Sequence, residues 1–160
     1  MQLTKISDSQ KREDNSICAI VIPVYKEQID KYEELSFRQC LKILHKYDIY
    51  LVTHQSLNLA EYTHIAKDYN IQLRTIFFSG SFFTGIAGYN RLMKSKNFYR
   101  SFSEYENILV YQLDAFVFRD ELNYWCSQGY DYIGAPWFNE FKEKDESNSL
   151  WKVGNIKLLV

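Results

Sequence analysis

What the chain lacks narrows it before any motif is read. It has no excess of positive charge: 19 Lys and Arg face 20 Asp and Glu, for a net charge of −1. Such a balance leaves no electrostatic footprint for nucleic acid. No run approaches the roughly 20 apolar residues of a membrane-spanning helix. The amino end, MQLTKISDSQKREDNS, is polar and has no apolar core of the kind a secretory signal carries. Residues 1–16 therefore read as a flexible lead-in, and residues 17–160 as a single domain. Cysteines are few, odd in number and far apart: Cys18, Cys40 and Cys126. They read as reduced, mostly buried thiols of a reducing compartment. His45, His54 and His64 do not supply the paired ligands a zinc site needs. There is no internal repeat and no low-complexity segment. Together these absences predict a cytoplasmic protein, with peripheral docking on a membrane surface left open.

What is present is a globular composition. Apolar residues make up 46% and charged residues 24%, enough for one core and too apolar for disorder. Aromatics are abundant, with 13 Tyr and 11 Phe, and many of the Tyr hydroxyls must find a polar partner or the surface. ICAIVIPVY, residues 17–25, is a β-branched run stopped by Pro23 and reads as a buried strand. Lys31–Tyr47 reads as a helix from the spacing of Leu35, Leu41, Leu44 and Tyr47. Residues 48–54 and 71–78 read as strands, with a helix at 57–69 between them for which Asn58 is a plausible cap. SGSFFTG, residues 79–85, is a loop. A helix follows at 86–95, weakened by Gly88, then a short helical piece at 98–105 and a strand at 107–113. A helix over 120–129 has Asp120 as its cap candidate and Gly129 as its stop. YDYIGAP, 130–136, reads as a fifth strand. Strands alternating with helices predict a three-layer α/β domain with a mostly parallel sheet.

Parallel sheets bind ligands at the carboxyl ends of their strands. Three segments fall on that edge: PVYKE (23–27), SGSFFTG (79–85) and QLDAF (112–116). Asp114 there could hold a divalent cation that in turn holds a diphosphate, or it could cap the following turn. Periodicity alone favours the cap. Gln112 has the same two readings, ligand contact or solvent. Tyr25 could stack on a nucleobase and Lys26 could approach a phosphate, or both could belong to an ordinary loop. Asn90 and Arg91 could reach a ligand from their helix, although Arg91 is by default a solvated charge. In GYDYIGAPW, Tyr132 and Trp137 could wall a sugar-sized pocket or be plain core, and Asp131 reads as a turn cap. The acidic stretch 139–147, including Glu140, reads as a solvated loop.

The ordered series AIVIPVYKE, SFRQCLKIL, YDIYLVT, GYNRLMKSKNFYRSFSEYENILVYQLDAFVFRDELNYWC, GYDYIGAPW and WKVGN resembles the DUF5672 family, from about Ile17 to Asn155. The resemblance implies a Rossmann-like, GT-A-type nucleotide-diphospho-sugar transferase fold. It implies a glycosyltransferase, with a nucleotide-diphosphate sugar as donor and a glycan or lipid-linked saccharide as acceptor. GT-A enzymes commonly place an Asp-x-Asp motif after the fourth strand. The matching positions here are Gln112, Leu113 and Asp114, so only the second acid is present. Asp114 inherits the Mn²⁺ or Mg²⁺ and diphosphate role, and Gln112 a nucleotide or sugar contact. Pro23, Val24 and Tyr25 would line the nucleoside. The catalytic base is unassigned. The family continues with two glycines after the position of Asn155, whereas this sequence reads IKLLV. The expectation is a C-terminally incomplete donor-binding half with weak or no transfer. The alternatives are a non-catalytic nucleotide-sugar-binding fragment, or half of a split enzyme that self-associates or joins a complementing C-terminal chain. A reading from another class is a generic α/β domain that binds no nucleotide and acts through its aromatic surface.

Overall fold

The computed structural model describes residues 17–134 and 158–159. Its elements run β1 (Cys18–Pro23), α1 (Lys31–Ile43), β2 (Asp48–Thr53), α2 (Ala60–Lys67), β3 (Arg74–Phe77), a 3₁₀ turn (Gly80–Phe83), α3 (Gly85–Met93), α4 (Lys96–Arg100), β4 (Asn107–Val110), α5 (Leu122–Ser127) and β5 (Leu158–Leu159). The sheet order is β3-β2-β1-β4, with the two-residue β5 alongside β4. Every pairing is parallel. This is the α/β architecture expected from the alternation of elements.

The order follows from burial. Between Cys18 and Ile22 every residue of β1 is fully buried, as suits a strand with neighbours on both sides and helices on both faces. Side chains alternate between the faces. Cys18, Ile20 and Ile22 enter a core with Phe37 and Leu41 of α1, Tyr62 and Ile65 of α2, and Leu122 of α5. Ala19 and Val21 enter the opposite core with Tyr50 and Val52 of β2, Leu92 of α3, Phe98 of α4 and Phe102. Each large side chain so buried contributes roughly 1.5–3 kcal/mol. β3 lies at an edge, and its residues are mostly exposed.

Helix α1 starts at a capping box. Asp30 accepts from the backbone N–H groups of Tyr32 and Glu33, and the Glu33 carboxylate accepts from the Asp30 N–H. Asp-x-x-Glu was in the sequence to be read. The helix ends at Ile43, and the turn that follows brings Tyr47 into the core. Asn58 accepts from the Ala60 N–H at 2.9 Å, just ahead of α2. Asp120 accepts from the Leu122 N–H at 3.1 Å and pairs with Lys46 at 2.8 Å, so it supports the start of α5 as expected. Gly129 has a φ of 74°, which suits a helix stop.

Two expectations are corrected. Tyr130 to Gly134 form no strand; Gly129 turns the chain, and the sheet edge next to β4 pairs instead with Leu158 and Leu159. β4 ends at Val110, because at Gln112 the chain folds into a turn closed by the Ala115 N–H on the Gln112 carbonyl. Residues 1–16, Trp137, Glu140 and the 139–147 stretch lie outside the described residues. No described helix is long and apolar enough to cross a membrane.

Candidate functional site

The chain steps outward from β1 to β2 and β3, then returns to the other side of β1 to lay down β4. The carboxyl ends of β1 and β4 therefore flank the point where the winding reverses, the place where open α/β sheets leave a ligand crevice. A cleft of about 340 Å³ opens there, within the size range of small-molecule sites. Three segments build it. Pro23, Val24, Tyr25 and Lys26 leave β1, Phe82 to Tyr89 come from the 3₁₀ turn and α3, and Gln112, Leu113 and Asp114 leave β4. Glu33 of α1 and Tyr62 of α2 complete the lining.

Each wall is held by identifiable bonds. The β4 wall is a strap tied to α1. The buried Ser36 hydroxyl bonds to the Tyr111 hydroxyl at 2.8 Å and donates to the Ala115 carbonyl, and Gln39 donates to the Val117 carbonyl at 3.0 Å. Asp114 sits on this strap, exposed to the cleft, and has no hydrogen-bond or ion-pair partner among the described residues. The turn-cap reading of Asp114 thus finds no bond to support it.

The α3 wall depends on two glycines. Gly85 has a φ of 64°, which lets the chain turn from the 3₁₀ segment into the helix. Gly88 faces the Ser81 and Phe82 carbonyl oxygens, and a Cβ there would lie 2.8 and 2.9 Å from them. The glycine that weakened the helix in sequence is what permits this contact. Arg91 donates to the Ser81 carbonyl at 2.8 Å, and the Thr84 hydroxyl donates to the same oxygen at 2.9 Å. Phe82, Phe83, Ile86 and Tyr89 are thereby presented to the cleft as one unit.

The charges are unevenly shared. Lys26 pairs with Glu33 at 2.6 Å and with Asp30 at 3.1 Å. Its pKa is pushed up, first by Glu33 and also by Asp30, against a small opposing effect of burial. Asp30 is drawn down to about 2 by the Glu33 N–H and by Lys26. Burial pushes the Tyr89 phenol up and the nearby charge of Asp114 adds to this, while a side-chain hydrogen bond with Gln112 works the other way. The rim is apolar, with Tyr25 and Ile86 largely exposed.

Of the residues singled out in the sequence, Pro23, Val24, Tyr25, Gln112 and Asp114 share this one cleft. Asn90 and Arg91 are not part of its lining: Asn90 is exposed on α3, and Arg91 is spent on the Ser81 carbonyl. Glu33, Tyr62 and Tyr89 were not singled out. A Tyr two residues ahead of a named Arg offers little signal, and Glu33 was legible only as half of the capping box. His45 and His64 are exposed, and His54 bonds to the Ser56 hydroxyl at 2.9 Å.

Among the described residues no three His, Cys, Asp or Glu side chains cluster as a ready-made metal cage. One carboxylate facing a phosphate-sized space is nevertheless a donor set that suits Mg²⁺ or Mn²⁺, ions commonly held by one or two carboxylates together with substrate phosphates.

Fold and cleft define a Rossmann-like α/β protein with its ligand crevice at the switch point between β1 and β4. The chain belongs to the DUF5672 family, described as a protein of unknown function, whose model matches residues 72–156, more than half of the sequence. The matched part includes Tyr89, Gln112 and Asp114. The β1 wall, Pro23 to Lys26, precedes it. No curated protein and no solved structure matches the chain.

Proposed function

We propose that this is a GT-A-like glycosyltransferase domain, which transfers a sugar from a nucleotide-diphosphate sugar to a hydroxyl of a glycan or lipid-linked saccharide. The observation that carries the proposal is the position of Asp114: an exposed carboxylate without a partner among the described residues, in the cleft between the carboxyl ends of β1 and β4. The apolar rim supports the same reading, because a nucleobase needs a flat apolar surface and Tyr25 offers one beside the β1 turn. In this reading Pro23, Val24 and Tyr25 take the nucleoside, and Gln112 and Tyr89 contact the diphosphate or sugar. Asp114 would hold Mn²⁺ or Mg²⁺ together with the diphosphate oxygens. Such an ion, when bound, stabilises charge on the departing diphosphate. The α3 wall keeps water from one side of the cleft, and the strap on α1 holds Asp114 in place.

Thermal shift with UDP, GDP and ADP, each with and without Mn²⁺, tests the proposal. A ligand at 100 times its dissociation constant adds ~2.7 kcal/mol of stability. One of the three is expected to raise the melting point, and Asp114→Ala is expected to abolish the part that depends on Mn²⁺. If none of them moves the melting point, the donor reading is discarded.

A further inference from the structure

The structure points to Gln112 as the residue that makes cation binding conditional on the diphosphate: we infer that the cleft takes the divalent ion and the nucleoside diphosphate only as a pair. This rests on the donor reading above and goes beyond it by assigning a coupling between two ligands. The cleft lining carries one ammonium and two carboxylates. The ammonium, Lys26, is already held by Glu33 at 2.6 Å and by Asp30 at 3.1 Å. A diphosphate would enter a cleft whose remaining charge is the Asp114 carboxylate, and without a cation it would be repelled. The cation in turn meets a single carboxylate. The neighbouring donor atoms belong to the amide of Gln112 and the phenol of Tyr89, both neutral and hydrogen-bonded to each other. One carboxylate competes poorly with the hydration shell of a divalent ion, and the diphosphate oxygens supply the missing ligands. Each ligand therefore makes the site for the other, and linkage requires the two effects to be equal.

Isothermal titration of the full chain tests this with Mn²⁺ alone, UDP or GDP alone, and each in the presence of the other. Mn²⁺ alone is expected to bind weakly, and the nucleotide is expected to tighten it by roughly 5–150-fold, with the same factor in the reverse direction. Gln112→Asp is expected to bind Mn²⁺ by itself at least tenfold more tightly than the natural chain, and so to reduce the coupling. Circular dichroism should show the variant folded, since Gln112 lies in a turn. Tyr89→Phe, which keeps the ring and removes the hydroxyl, should leave binding of Mn²⁺ alone unchanged. If a nucleotide binds equally well with and without Mn²⁺, or Mn²⁺ binds equally well with and without nucleotide, the coupling is refuted while the donor reading stands. Gln112→Asp with no gain in Mn²⁺ affinity refutes the role of Gln112. If neither nucleotide binds under any condition, the donor reading falls and the inference with it.

Discussion

The two ends of the sheet treat their polar groups differently. At the amino ends of the strands, polar side chains form a closed network. Tyr105 donates to Asp48 at 2.6 Å, Tyr50 and Tyr105 bond at 2.9 Å, and Arg74 reaches Tyr50 at 2.8 Å and Asp48 at 3.2 Å. The Tyr50 ring also stands edge-on to Phe102 and Tyr105. Burial, Asp48 and Tyr50 together push the Tyr105 phenol far up. At the carboxyl ends, Asp114 has no partner among the described residues and the surrounding aromatics leave a cleft. One end spends its polar groups on stability, and the other keeps a charge available for something outside the chain. A satisfied network gains little from a ligand, whereas an exposed carboxylate in a cleft has its interaction still to make.

Breaking the cleft wall should have the largest effect. Gly88→Ala drives a methyl into two backbone carbonyls that cannot move without unseating the 3₁₀ turn. It should cost about 1–3 kcal/mol and weaken ligand binding as well, readable as a lower urea midpoint together with a lost thermal shift. Tyr105→Phe attacks the closed end. It removes a donor from Asp48 and a partner from Tyr50, and should cost about 1–2 kcal/mol while leaving ligand affinity unchanged.

Acid should loosen a third place, the capping box where Lys26 and α1 meet the cleft. The folded pKa of Asp30 is about 2, below its unfolded value. Its contribution to stability is therefore fully present above roughly pH 4 and is lost as pH falls toward 2. Asp30→Asn should flatten that part of the stability profile in chemical denaturation at pH 5 and pH 2.5. The smallest stability effect belongs to Asp114→Ala, expected within about 0.5 kcal/mol of the natural chain, even as it removes the Mn²⁺-dependent response to nucleotide. A large loss of stability in that variant would mean the two ends of the sheet are not so different.

Much of the fold was legible because burial leaves a periodic trace. The run around Ile20 could only be a central strand, and the stripe of Leu41 and Leu44 only a helix on its face. Asp120 and Gly129 marked α5 because capping is local chemistry. The strand expected at 130–136 failed for the opposite reason: short aromatic runs fit a strand, a loop or a wall equally well, and pairing with β4 was settled by residues far along the chain. The resemblance to DUF5672 pointed to Gln112 and Asp114, while Tyr89 and Glu33 left no local mark of proximity to them.

The sequence by itself determined the alternation of strands and helices, the absence of nucleic-acid charge, and the lone acid at position 114, since these are properties of composition and local pattern. Only the tertiary structure decided that Asp114 would be exposed and without a described partner, that Lys26 would be tied to Glu33, and that Tyr89 would meet Gln112. Those outcomes depend on strand order, which brings the ends of β1 and β4 side by side although they are distant in sequence. Sequence spacing along one segment carries no information about the neighbour that packs across from it.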